Sequence, residues 1–293
     1  MPAVVSAVVV VAAALAGCGG HGRSAESHAT STAAATVPKP ATTSTAEAMS
    51  PFAGLTGYLA GRGGEVTAAV YDTRTNQTWS LAPTSVQDAA SIVKVEIMGT
   101  ALQEAQAAKE VMLPPSEAVL MTAMIEKSDN DSASELLTQV GGVSAVARFD
   151  QAVGMTDTTP APTMPYIPGT TLPGWGLTTT TALDQVTLVK AFALPSTVLT
   201  PTWQHYGLAL MEAIEADQDW GVSAGAPAGA TVALKDGWLP LPAPTNWQVD
   251  SIGWISGSGS GYVLAVLTRG SPNEQYGIDT IETIARAVAQ ALG

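Results

Sequence analysis

Three short clusters of residues carry the chemistry this chain could perform. Ser91 and Lys94 stand in Ser91-Ile92-Val93-Lys94, at the start of an apolar helical stretch. Residues three apart on a helix share a face, so the amine can take the proton of the serine hydroxyl. A helix N-terminus favours the negative charge that then develops. Read singly, the same four residues also suit a serine N-cap with an exposed lysine. Ser128-Asp129-Asn130 lies between two predicted helices, where it supplies either polar groups for a site or ordinary turn and cap chemistry. Lys235-Asp236-Gly237 falls on a predicted strand and signifies nothing by itself.

The elements that must position these residues follow from periodicity and turn signals. Residues 66–71 and 77–81 flank a turn-rich Asp72-Thr73-Arg74-Thr75-Asn76 and read as a β-hairpin. Helices are expected over 91–109, 117–126, 131–140, 143–153, 182–194 and 201–216. Gly141-Gly142 and Gly154 act as stops. Strands are expected over 232–238, 247–255 and 262–268, and an amphipathic helix over 278–292. Residues 155–181 are rich in Pro, Gly and Thr and read as a long ordered loop. The order hairpin, helices, three strands, helix gives an α/β (α+β) fold. Its antiparallel sheet is built from both chain ends and flanked by helices, with an all-helical subdomain inserted.

Composition removes several function classes. The chain has 293 residues, 46% hydrophobic and 13% charged, enough apolar content for a sizeable core. A net charge of −13 argues against nucleic-acid binding, which needs a basic footprint. One cysteine excludes an intramolecular disulfide. With only three His and no HExxH pattern, no metal site and no cofactor is implied.

The lone cysteine, Cys18, ends the apolar run of residues 3–17 in Leu15-Ala16-Gly17-Cys18. The run is shorter than the roughly 20 residues a spanning helix needs. It suits a secretory leader, and its end resembles the lipobox of an actinobacterial-type bacterial lipoprotein. That resemblance implies lipidation of Cys18 and an extracytoplasmic domain anchored to the cell membrane. No Lys or Arg precedes the run. Residues 19–50 are rich in Ser, Thr, Ala, Pro and Gly without apolar period, and read as a disordered linker. It would span on the order of 30 Å on average and about 105 Å fully extended. His21 and His28 fall within it. The expected organisation is 1–18 leader and lipobox, 19–50 linker, and 51–293 a single catalytic-type domain.

Taken together and in this order, the three clusters resemble the penicillin-recognising serine enzymes, specifically class A β-lactamases, which carry S-x-x-K, S-D-N and K-T/S-G. The segment from Leu136 to Gly142, the threonines at 178–181 and Pro227-Ala228-Gly229 before the third cluster fit as well, so the resemblance spans the domain. It implies that Ser91 is the acylated nucleophile and that Lys94 assists its deprotonation. Ser128 relays a proton to the leaving nitrogen, with Lys235 holding that hydroxyl. Asn130 orients substrate or Lys94, and the N–H groups of Ser91 and Trp238 form an oxyanion hole. Asp236, Gly237 and Trp238 fall at substrate-binding positions. The implied substrates are peptidoglycan-like peptides, other amides or β-lactams.

Three departures bear on function. Class A enzymes release the acyl group with a loop glutamate. Here no Glu occurs between Glu135 and Glu212, and no Asn between Asn130 and Asn246. Asp157 is the sole carboxylate of the 155–178 loop, and Asp150 and Asp184 are expected to be helix-surface charges. Acylation without efficient hydrolysis follows. Asp236 replaces a hydroxyl residue that binds a substrate carboxylate. If it faces the cleft it opposes that carboxylate, by about 1 kcal/mol at 4 Å in water and about 4 at an effective dielectric of 20. Strand alternation allows the opposite orientation. Finally, 37 positions separate Ser91 from Ser128, fewer than is usual in that family, so the inserted subdomain is trimmed and Trp175 and Trp238 line the cleft or pack its walls. Three readings remain: a serine hydrolase or acyltransferase, a weak or inactive relative that binds a cell-envelope partner, and a working β-lactamase with another base.

Overall fold

The computed structural model describes residues 50–161, 166–241, 246–257 and 260–293. The leader, Cys18 and almost all of the linker lie outside the described residues. A short helix α1 (Thr56–Ala60) precedes the hairpin β1 (Glu65–Asp72) and β2 (Gln77–Leu81). There follow β3 (Gln87–Asp88), α2 (Lys94–Ala107), α3 (Pro115–Glu126), α4 (Asn130–Gln139) and α5 (Val143–Val153). Then come β4 (Thr179–Thr180), α6 (Ala182–Ala193), α7 (Pro201–Glu212), β5 (Thr231–Pro240), β6 (Trp247–Gly257), β7 (Ser260–Ser271) and α8 (Glu274–Leu292).

The five long strands form one antiparallel sheet in the order β2-β1-β7-β6-β5, so strands from both chain ends meet at its centre. Strand alternation divides the sheet residues between two cores. Ala69, Ala233, Ile252, Val263 and Ala265 join α2 and α6 on one face, while Val70, Leu234, Val249 and Leu264 join α8 on the other. β3 and β4 form a separate two-stranded ribbon that ties the segment before Ser91 to the end of the 155–178 loop.

The sequence signals account for most helix ends. Pro115 and Pro201 occupy the first turns of α3 and α7, where a missing N–H costs nothing. Thr181 caps α6 by accepting from Asp184 N at 3.2 Å, and Asn273 caps α8 by accepting from Tyr276 N at 2.8 Å. Gly154 ends α5 at φ +95°, the left-handed conformation that glycine adopts without penalty. The expected helix 182–194 is found as Ala182–Ala193 and the expected 143–153 as Val143–Val153. The expected 201–216 stops at Glu212, and the expected 91–109 begins three residues later, at Lys94. Ser91 instead lies in a 3-10 turn, Ala90–Val93, whose tighter winding leads into α2.

Candidate active site

Lys94 is the hub of the site. It is fully buried at the first position of α2, and its ammonium has four oxygen neighbours. It donates to Ser91 Oγ at 3.1 Å, Ser128 Oγ at 3.0 Å and Asn130 Oδ1 at 2.8 Å, and also to the Ser128 carbonyl oxygen. A long cationic side chain can be buried this way because its donors are all matched. Burial, and then the nearby Lys235 charge, push the Lys94 amine well below its ordinary range, against an opposing pull from Asp129. Burial thereby favours the neutral amine, the form able to accept a proton.

The Ser128-Asp129-Asn130 turn serves two ends at once. Asp129 caps α4 by accepting from Ser132 N at 2.7 Å, and its bonds with Ser132 hold its carboxyl below the usual carboxylate range. Ser128 sits at φ +54°, a conformation uncommon for a non-glycine residue, and this kink turns its hydroxyl and carbonyl toward Lys94. Ala90, beside the nucleophile, is likewise at φ +44°. Both strained positions flank the candidate chemistry, where such strain is commonly stored.

β5 is an edge strand of the sheet and presents two different faces. Gly237 abuts Ser91: a Cβ at 237 would lie 2.8 Å from Ser91 N and 3.0 Å from Ile92 N. No side chain fits there, which is why glycine occupies the position. Lys235, two residues earlier, shares that face and is fully buried. Burial lowers its amine to about 8, moderated by Asp236. Its ammonium donates to the Asp236 carbonyl oxygen at 3.0 Å. Ser128 Oγ takes its hydrogen bond from Lys94, so the expected grip of Lys235 on that hydroxyl is not formed here.

Asp236 does not line the cleft. It pairs in register with Ser251 on β6, is fully buried, and points to the face of the sheet opposite Gly237, beneath the Gly221–Gly225 turn. The Ser251 hydroxyl and Trp220 N–H lie toward the carboxyl. Neither reaches its oxygens in ordinary hydrogen-bond geometry. Burial therefore raises Asp236 well above the usual carboxylate range, against the opposing pull of Ser251 and Lys235. The substrate-carboxylate contact expected for position 236 is not available to it in this arrangement. The next residue, Trp238, is half-buried and packs on Trp220, with ring centroids 6.1 Å apart.

Trp175, from the 155–178 loop, is mostly buried rather than open to the cleft. Its indole lies 5.0 Å from the Lys94 ammonium, and its N–H donates to Ser134 Oγ at 3.1 Å. Asp157 is exposed and accepts from Thr156 Oγ1 at 3.2 Å. Asp150 and Asp184 are corrected by the structure: both are buried, not surface charges. Asp184 anchors the loop by accepting from Thr156 N at 3.2 Å, Asp157 N at 2.7 Å and Thr158 Oγ1 at 2.8 Å. Asp150 and the fully buried Glu96 of α2 lie close enough to influence each other's charge. Burial and then Asp150 raise Glu96 well above its usual range, while burial and then Asp184 raise Asp150 to about 7. Glu96 carries no motif signal; only its position on the buried face of α2 distinguishes it.

Comparison with known proteins agrees with this geometry. A family model described as the beta-lactamase enzyme family matches residues 112–292. No curated protein matches the sequence. Among solved structures, the TLA-1 extended-spectrum β-lactamase is 19% identical and superposes with a TM-score of 0.73, covering 83% of this chain and 98% of its own. A β-lactamase from Chitinophaga pinensis is 16% identical with a TM-score of 0.72, covering 83% and 99%. PBP-A is 19% identical with a TM-score of 0.67, covering 80% and 92%, and a mutant form of it was solved as an acyl-enzyme complex with penicillin G. With its antiparallel sheet, flanking helices and family-model match over more than half its length, this chain belongs to the beta-lactamase enzyme family.

Proposed function

We propose that the chain is an extracytoplasmic serine hydrolase or acyltransferase, tethered through Cys18, that forms a long-lived acyl-enzyme at Ser91. The observation that carries this reading is the Lys94 ammonium shared between Ser91 Oγ, Ser128 Oγ and Asn130 Oδ1. A site kept only for binding has no need of a buried lysine joining two hydroxyls.

In the proposed reaction neutral Lys94 accepts the Ser91 proton as Oγ attacks the carbonyl of an amide or β-lactam. The N–H groups of Ser91 and Trp238 take the developing oxyanion; losing one such donor typically costs about 3–4 kcal/mol. Collapse of the tetrahedral intermediate breaks the C–N bond. The proton passes from Lys94 through the Ser128 hydroxyl to the leaving nitrogen, which restores the neutral amine and leaves an ester on Ser91. Lys235 supplies positive charge beside the strand against which the substrate lies. Penicillin is a suitable probe because a mutant of PBP-A forms an acyl-enzyme with penicillin G. Peptidoglycan-like peptides are the proposed class of natural substrate. The test is labelling with a fluorescent penicillin followed by intact mass, with Ser91→Ala as control. A stable Ser91-dependent adduct is expected; none at all would leave a binding protein with an inactive cleft.

A further inference from the structure

We propose that Trp175 is the positioning residue that makes the acyl-enzyme long-lived, by filling the space beside Lys94 from which water would attack the ester. This rests on the serine-acylation reading above and adds the side chain responsible for the fate of the intermediate.

The indole is held from two sides. Its own 3-10 turn, Gly174–Leu177, packs on the Ala90–Val93 turn that carries Ser91: Ala89 N donates to Thr178 O at 2.7 Å, and Thr178 N donates to Trp175 O at 3.0 Å. The indole N–H is tied to Ser134 Oγ on α4, which itself donates to Asn130 O at 2.9 Å. The ring thus covers Lys94 while being fastened to the helix that begins with Asn130. Trp175 is 8% exposed and Lys94 not at all.

The space beside the ring is small and mostly apolar. A cavity of about 10 Å³ is walled there by Val93, Ile97, Leu137, Val146, Pro160 and Thr178. That volume is at the lower limit for one water, and such a wall offers few of the two to four polar partners a buried water requires. Hydrolysis of the ester needs a water oxygen to attack its carbonyl carbon, a base to take the water proton, and Ser91 Oγ to leave with a proton. Neutral Lys94 is the base in reach, since Asp157 is exposed and the loop has no other carboxylate. The indole covers that base.

The experiment compares acylation and deacylation separately in the full-length protein. Wild type, Trp175→Ala, Trp175→Gln and Ser134→Ala are labelled with penicillin, freed of excess reagent, and followed by intact mass, with melting temperature as the fold control. The two Trp175 variants are expected to lose the adduct at least tenfold faster than wild type, with loss followed on preformed adduct so that a changed acylation rate does not enter. Ser134→Ala, which keeps the ring and removes only its tether, is expected to lose it by a smaller factor. Folded Trp175→Gln and Ser134→Ala proteins with adduct lifetimes within twofold of wild type would overturn the inference. A wild-type protein that forms no adduct would overturn the acylation reading and this inference with it.

Discussion

The alkaline side of the acylation profile is the sharpest consequence of the site. In the proposed reaction Lys235 must carry its charge to act beside the substrate, and burial has brought its amine down to about 8. A lysine loses charge as pH rises, so the active fraction falls through that value. One pH unit beyond it, only about one tenth of the molecules remain charged, and two units beyond about one hundredth. The second-order rate constant for acylation should therefore be level near neutrality, about tenfold lower at pH 9 and about a hundredfold lower at pH 10. Lys235→Arg separates charge from everything else, because a guanidinium does not titrate in this range. Whatever its plateau, that variant should show no bend near 8. The assay is stopped-flow acylation by a chromogenic cephalosporin over pH 5–10, with melting temperature recorded at each pH. A wild-type profile flat to pH 10, or a bend near 8 that persists in Lys235→Arg, would refute the reasoning.

Four further outcomes follow. Lys94→Met should slow acylation by about 10²–10⁴-fold, the range for removing a positioned base, measured by the same stopped-flow assay. Asp236→Thr should leave penicillin affinity unimproved, since the side chain faces away from Ser91; a clear gain in acylation would contradict the placement. Asp150→Asn should stabilise the fold increasingly with pH. The folded-state value of about 7 lies above the ordinary 3.8, so the native state holds the proton more tightly and stability drains away as pH rises from about 4 through 7. The variant should gain up to about 4 kcal/mol by pH 8 in urea unfolding, and almost nothing at pH 3. Gly237→Ala should cost about 1–3 kcal/mol of stability and depress acylation, because the added methyl meets Ser91 N at 2.8 Å.

Local signals in the sequence carry far in this protein, and they stop where contacts between distant segments begin. Helix bounds were legible at Thr181 and Gly154, where a cap or stop residue marked them, whereas the closing helix, expected from 278, begins at Glu274 behind its Asn273 cap. Ser91 was legible as a nucleophile candidate, but not the 3-10 turn that holds it, because that turn depends on the ribbon joining Gln87-Asp88 to Thr179-Thr180, some 90 residues away. Asp150 and Asp184 read as helix-surface charges because a carboxylate on a helix is ordinarily exposed. Only packing of α5 and α6 around Glu96 of α2 shows them to be buried. The two readings of Ser128-Asp129-Asn130 concern different atoms. The Asp129 carboxylate is cap chemistry, and the Ser128 and Asn130 side-chain oxygens belong to the lysine.

Lys235-Asp236-Gly237 shows why departures from a family pattern have to be placed before they are weighed. Alternation along β5 allowed Asp236 either face, and its electrostatic consequence depended wholly on which. Gly237 settles it: if its missing side chain points at Ser91 N, its neighbour must point the other way, toward Ser251 and the Gly221–Gly225 turn. The aspartate then does not face the cleft, and it acts on the four polar groups proposed to make an ester, Ser91, Lys94, Ser128 and Lys235, only by moderating the Lys235 amine. The missing loop glutamate differs in kind. No other carboxylate of the loop replaces it, and the neighbourhood beside Lys94 holds an indole instead. On the acylation reading the two departures act at different steps. The first bears on forming the acyl-enzyme only through Lys235, and the second governs how long it lasts, so a variant scan that scored only overall turnover would confuse them.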